Sequence, residues 1–250
     1  GDSRTMTIDE LDKIAELVRQ YDKNAWLHAD ACHGFSLGFS EKYKHLIKGI
    51  EKFDSISTDP HKVLCTPYTI SALLLKCPED VNLISTSSDL ITKEPYALGQ
   101  TTPFCGSKNW CSLKLWFLIK NMGQKGISDL IEQRILVAEY FKQKLRNDES
   151  FIVLGSNVNV VLFMLKNKKG NVSLSSLNEL NVSIYNKICK EGLCYLHQFP
   201  YVDHEGIISK GQTVYPLRFM SGNPNLKYDH IDEIYEYLKN ISSKVESENC

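Results

Sequence analysis

Residues Phe53–Thr58 alternate apolar and hydroxyl side chains, and the run ends in Asp59-Pro60-His61-Lys62. Alternation with period two predicts a strand, and the proline fixes the turn that follows it. A second strand-like run, Ala25–Ala29, ends in Asp30, small residues and Gly34. Before it, Leu11, Ile14, Leu17 and Val18 recur at helical spacing behind Asp9 and Glu10, predicting a packing helix to about Tyr21. A helix between strands argues for an α/β fold with a parallel or mostly parallel sheet. In such sheets ligands sit beyond the carboxyl ends of the strands, where Asp30 and Asp59–Lys62 fall.

Two of these residues carry recognisable chemistry. A lysine amine held beside a carbonyl forms a Schiff base, and the commonest biological partner is pyridoxal 5'-phosphate. Lys62 is the candidate for that role; taken alone, a lysine is more often a solvated surface charge. The same cofactor needs a carboxylate against its pyridinium nitrogen, which Asp30 can supply, although a lone aspartate after a strand more often caps a helix or starts a turn.

Together, His28-x-Asp30-Ala31 and Ser57-x-Asp59-Pro60-His61-Lys62 resemble the group II, fold type I, pyridoxal-phosphate-dependent amino acid decarboxylases, which act on glutamate, aromatic amino acids or cysteine sulfinate. The resemblance continues through Gly106–Trp116 to Arg218-x5-Pro224. It implies a Schiff base at Lys62, a pyridinium partner in Asp30, and His61 and Asp59 close to the phosphate, Asp59 through its backbone. By the same resemblance, Cys32 replaces an alanine under the cofactor ring, His28 supports the cofactor from the same strand face as Asp30, and Ser3 takes the place of a threonine near the cofactor. Arg218 would clamp the substrate carboxylate through two parallel hydrogen bonds; without the resemblance it reads as an interdomain salt bridge.

The resemblance also implies a homodimer with the site at its interface. It places residues 1–148 in the C-terminal part of the large cofactor domain and 149–250 in a small α/β domain. Gly1–Asp9 looks like the family's glycine-threonine-threonine loop, so the upstream half of the large domain is expected to lie outside this chain. Two departures stand out. The loop around 82–98 has no tyrosine at 83–91, where many family decarboxylases carry one that protonates the intermediate; Tyr96 is the nearest. Lys108, in the Gly99–Lys108 loop, stands where an arginine is usual and lacks the planar fork.

Length and composition set the outer bounds. With 250 residues, 42% hydrophobic and 24% charged, the chain can bury a sizeable core in one large domain or two. A net charge of −1 with scattered lysines and glutamates favours neither nucleic acid nor a membrane surface. The longest apolar runs, 112–119 and 158–165, are far below the roughly 20 residues that cross a bilayer. The eight cysteines include no CxxC pair and no zinc spacing, and read as reduced core residues of a cytoplasmic protein. No secretory leader or repeat is evident.

Farther along, Thr69–Leu75 reads as a buried strand, and Glu41–Lys52 as a polar segment covering the site entrance. Helices are expected at Cys111–Asn121, with Trp116 in the core, and at Gly126–Leu145. The rest reads as strands at Phe151–Leu154, Val158–Leu165 and Leu193–Phe199 with helices at Leu174–Glu191 and Asp229–Ile241. The leading expectation is decarboxylation of an L-amino acid to an amine and CO2. The missing loop tyrosine keeps a lyase or aldehyde-forming deaminase of the same fold open, and the absent upstream segment keeps open a catalytically silent chain acting by association.

Overall fold

The computed structural model describes residues 2–84, 109–166 and 173–248. Packing divides the chain into two units: Ile8–Asp129, and Leu130–Cys250 together with Asp2–Thr7.

In the first unit, α1 (Leu11–Tyr21) precedes β1 (His28–Asp30), which pairs in parallel with β2 (Ser55–Thr58). Leu11, Ala15 and Val18 of α1 pack with Leu27, Ala29 and Phe53. Ile14 and Leu17, expected in the same packing stripe, are exposed. Asp54 pins the start of the strand pair, its carboxylate accepting from Leu27 N and from Arg19 Nη2, both at 2.7 Å. Burial opposes the charge on Asp54, but these two donors hold its carboxyl below the usual carboxylate range. The expected strand from Ala25 shortens to 28–30 because Trp26 and Leu27 are held by side chains of Ser55 and Asp54, outside the ladder.

Two sequence expectations are corrected here. β3 (Ala72–Leu75) runs antiparallel to β2, so the described part of this sheet has one parallel and one antiparallel pair and is not mostly parallel. Nor is β3 buried: Leu73 and Leu74, on opposite faces, are 49% and 40% exposed. The Glu41–Lys52 segment forms short 3-10 turns, and Lys48 and Lys52 tie it to Asp12 of α1. Gly49 makes this approach possible. It has φ 94°, and a Cβ there would lie 2.5 Å from Asp12 Cα.

Helix α3 (Cys111–Arg146) is interrupted at Gly123, whose φ of 63° and ψ of 179° separate it into the two expected helices. Trp116, expected in the core, is 52% exposed. No helix among the described residues is long and apolar enough to cross a membrane.

The second unit is built on an antiparallel sheet of β4 (Phe151–Asn157), β5 (Val160–Leu165), β6 (His197–Gln198) and β9 (Leu217–Met220), in the order β4-β5-β9-β6. β5 is buried along its whole length because both faces are covered. Val161, Phe163 and Leu165 face a core with Phe141 of α3, Ile184 and Ile188 of α4 (Leu174–Glu191), and Ile231 and Leu238 of α5 (Tyr228–Glu248). Val160, Leu162 and Met164 meet Met6, Leu154 and Val214 on the other face. Each fully buried side chain of this kind stabilises by about 1.5–3 kcal/mol.

α4 begins at Ser173, whose side chain accepts from Ser176 N, and ends at Gly192 in the left-handed region. A small ribbon pairs β7 (Tyr201–Val202) with β8 (Thr213–Val214). Buried Asp203 organises the loop between them by accepting four backbone N–H bonds, from Gly206, Ile207, Ile208 and Ser209. Of the cysteines, Cys32, Cys65, Cys77, Cys111, Cys189 and Cys194 are in no disulfide and none is buried, contrary to the expected core placement.

Candidate active site

The parallel register sets Asp30 opposite Ser57, so β1 and β2 end side by side. Ala31 N extends the pairing by donating to Ser57 O at 2.9 Å. Asp59 follows β2 directly, and Pro60 is the first residue of the single turn α2 (Pro60–Val63), a position that needs no N–H donor. That turn carries Lys62 back over Asp59, with Lys62 N donating to Asp59 O at 2.9 Å.

The side chains close the same loop. Lys62 Nζ lies 2.7 Å from Asp59 Oδ2, while Ser71 Oγ donates to Asp59 Oδ1. Asp59 thus engages Lys62 through its side chain as well as through its backbone carbonyl. The Lys62 ammonium first, and the Ser71 hydroxyl next, hold the Asp59 carboxyl far below its usual range. Reciprocally, Asp59 raises the lysine above its ordinary value.

Cys32 lies between the two carboxylates. Its backbone N donates to Asp30 Oδ1 at 3.2 Å, and its thiol interacts with both Asp30 and Asp59. Burial, then the two acids, push the Cys32 thiol up to about 12, so at neutral pH it is a protonated donor. That thiol and the Cys32 N–H lower the Asp30 carboxyl and keep it ionised.

His28 is exposed on β1, and its Nδ1 lies 2.8 Å from Ser55 Oγ, which also accepts from Trp26 Nε1 at 2.9 Å. His61 points its Nδ1 at Ile70 O, 2.5 Å away, and its ring tilts on Tyr68 with centroids 4.5 Å apart. The same Nδ1 lies 3.4 Å from Ile70 N, so the Ile70 backbone engages this nitrogen and leaves Nε2 as the open position of the ring.

The structure therefore brings Asp30, Cys32, Asp59 and Lys62 together within the first unit, with His28 and His61 on the same elements. Ser71 was not anticipated. Its signal lay in the antiparallel register, which pairs Thr58 with Ala72 and so sets Ser71 beside Asp59.

Arg218 and Ser3 belong to the second unit. Arg218 is 7% exposed and donates from Nε to Arg4 O at 2.8 Å and from Nη2 to Ser3 O at 3.1 Å. Burial lowers its pKa, partly countered by the negative charge of Asp2. The guanidinium fixes the loop Ser3–Arg4 through its carbonyls, so the salt bridge expected without the resemblance is replaced by backbone hydrogen bonds. Arg218 also lines a cavity of about 640 Å³ with Tyr195, His197, Asn223, His230 and Glu233. Burial and the Arg218 charge depress the pKa of His197. Among the described residues no group of histidine, cysteine and acidic side chains could hold a metal ion. The Gly99–Lys108 loop, Tyr96 and most of the segment lacking a tyrosine lie outside the described residues.

The parallel strands β1 and β2 thus end beside a lysine and two carboxylates, and comparison with known proteins assigns the chain to a family. The crystal structure of mouse CSAD in its apo form superposes with a TM-score of 0.81 at 25% identity, covering 94% of this chain and 49% of that one. Residues 1–166 match the pyridoxal-dependent decarboxylase conserved domain, and the chain belongs to that family. Similar relatives are a phenylacetaldehyde synthase of Petunia hybrida, 27% identical over 252 residues, covering 96% of this chain and 47% of the relative, and the human cysteine sulfinic acid decarboxylase, 33% identical over 153 residues, covering 57% and 30%. The chain spans about half the length of the curated relatives it matches over nearly its whole extent.

Proposed function

We propose that this chain serves a pyridoxal-phosphate-dependent decarboxylation of an L-amino acid to the amine and CO2, with Lys62 as the covalent anchor. The observation that carries the reading is the meeting of Lys62 with Asp30 and Asp59 at the ends of the parallel strands β1 and β2. The donor set fits the group. Lys62 offers an amine to an aldehyde, and Asp30 offers an ionised carboxylate to a protonated ring nitrogen. His61 has one ring nitrogen left for a phosphate.

Bound pyridoxal phosphate supplies the electron sink for the bond that breaks when CO2 leaves. The chain's own contribution is placement. Asp30 keeps its charge because the Cys32 thiol and N–H stabilise it, and Cys32 fills the floor between the acids. Arg218, already fixed by two carbonyls, presents its guanidinium to a cavity able to admit a substrate carboxylate. His28 is steadied by Ser55, and Ser3 is held by its carbonyl beneath Arg218.

In this reading residues 1–148 form the C-terminal part of the large cofactor domain and 149–250 the small domain of a cytoplasmic homodimer. One test is incubation of the longest natural form with pyridoxal phosphate and borohydride, followed by peptide mapping. A label on Lys62, with amine and CO2 formed from one amino acid of a panel, is expected. An unlabelled Lys62 would leave the chain a silent partner acting by association.

A second reading has a specific motive. The segment 83–91 has no tyrosine, and one similar relative is a phenylacetaldehyde synthase. Aldehyde and ammonia in place of the amine would establish it.

A further inference from the structure

We infer that Asp59 is a positioning residue that holds the Lys62 amine as an ammonium before any aldehyde arrives, so that the anchor is guarded by its own neighbour. The inference rests on the reading of Lys62 as the anchor, and concerns what precedes attachment.

The geometry is that of a built clamp. Asp59 is placed by β2 on one side and Pro60 on the other, and both carboxylate oxygens are engaged: Oδ2 by Lys62 Nζ at 2.7 Å, Oδ1 by the Ser71 hydroxyl. Its side chain is 14% exposed and that of Lys62 36% exposed. A solvated pair such as Lys125–Asp129, at 87% and 61%, has no such shelter. Ser71 comes from the segment leading into β3, so the carboxylate is braced from a second strand and does not merely follow the lysine.

The chemistry gives the clamp a consequence. An amine attacks an aldehyde carbon only after giving up a proton; the nitrogen then forms the new bond to carbon, and the aldehyde oxygen departs as water. Among the described residues, the titratable groups facing Lys62 are Asp59, Asp30 and Cys32, two carboxylates and a thiol that stays protonated at neutral pH. No positive charge among these neighbours helps the ammonium lose its proton, and Asp59 accepts directly from it. Capture of an aldehyde therefore requires Lys62 to leave Asp59, and removing the Asp59 charge frees the amine at lower pH.

The test reads Lys62 itself and does not depend on turnover. The longest natural form and its Asp59→Asn variant are reductively methylated with formaldehyde and cyanoborohydride from pH 6 to 9, and the Lys62 peptide is quantified against the other lysine peptides. The expected result is a Lys62 curve displaced to lower pH in the variant, with labelling roughly two- to fivefold faster at neutral pH, the range of one partly exposed charge pair. Coincident curves would overturn the clamp. The unsubstituted protein provides a check that needs no variant: Lys62 must require higher pH than the average surface lysine, and an equal or lower requirement also overturns the idea. Parallel labelling with pyridoxal phosphate and borohydride separates the two claims. A Lys62 that methylates as expected but never takes pyridoxal phosphate ends the proposed function and leaves the clamp. A Lys62 that takes pyridoxal phosphate with unshifted methylation ends the clamp alone.

Discussion

Arg218 reaches back 214 residues to donate a 2.8 Å hydrogen bond from Nε to the carbonyl oxygen of Arg4. A second donor from the same guanidinium holds the carbonyl of Ser3. One planar fork therefore fixes the start of the described chain against strand β9.

Arg218→Lys keeps the charge but cannot serve both carbonyls with a fixed geometry. One part-buried hydrogen bond from a charged donor is lost, and the expected cost is roughly 1.5–3 kcal/mol. Urea unfolding of the full chain followed by far-ultraviolet circular dichroism, which reads the helices and sheet of the second unit, measures it. An unchanged midpoint would show that water or another donor replaces the fork.

Under the proposed function, Asp30→Asn separates anchoring from chemistry. Lys62 remains to take an aldehyde, whereas the ionised carboxylate that Cys32 stabilises is gone. Borohydride labelling of Lys62 should persist while product formation falls by on the order of a hundredfold or more. Equal loss of both would mean that Asp30 is needed for binding itself.

How much of this was legible beforehand depends on whether the signal was local. Helix α4 was readable to its bounds because Ser173 and Gly192 mark its ends, and β5 because six successive apolar residues demand cover on two faces. Pro60 likewise announced the turn that carries Lys62. Strand direction was not readable, since an apolar run such as Thr69–Leu75 looks the same whichever way it pairs, and Leu73 and Leu74 are exposed despite their hydrophobicity. The brace of Ser71 on Asp59 needs the register of a strand pair, and the Arg218 carbonyl clamp links opposite ends of the chain. Nothing in either local sequence could announce them.

Cys32 offers a chemical probe of the same cluster. With its thiol pushed up to about 12, only a minute fraction is thiolate at pH 8, while Cys65 is exposed to solvent. Iodoacetamide at pH 8 should alkylate Cys32 at least about tenfold more slowly than Cys65, as read by peptide mass spectrometry. Asp30→Asn removes one of the acids that raise the thiol and should speed Cys32 selectively. Rapid alkylation of Cys32 in the unsubstituted protein would mean that the thiol does not sit between the two carboxylates.

Tyr235 and Asp148 predict an acid-sensitive share of stability in the second unit. Tyr235 donates to Asp148 Oδ2 at 2.6 Å, and Lys239 lies 3.3 Å from the same oxygen. The Tyr235 hydroxyl first, with Ser150 and Lys239 adding to it against burial, holds the Asp148 carboxyl far below its ordinary 3.8. A carboxyl whose folded pKa lies below its unfolded value binds fewer protons in the folded state. Its stabilisation is complete above about pH 5 and is lost as the pH falls through about 4 and below. Tyr235→Phe removes the principal donor and should destabilise by about 1 kcal/mol at pH 7. The difference from the unsubstituted protein should shrink as the pH falls below about 4, through the range in which folded Asp148 takes up its proton in the variant but not yet in the unsubstituted protein. Urea midpoints at a series of pH values measure that convergence, and a pH-independent difference would assign the loss to the hydroxyl's contact with Lys239 and not to Asp148.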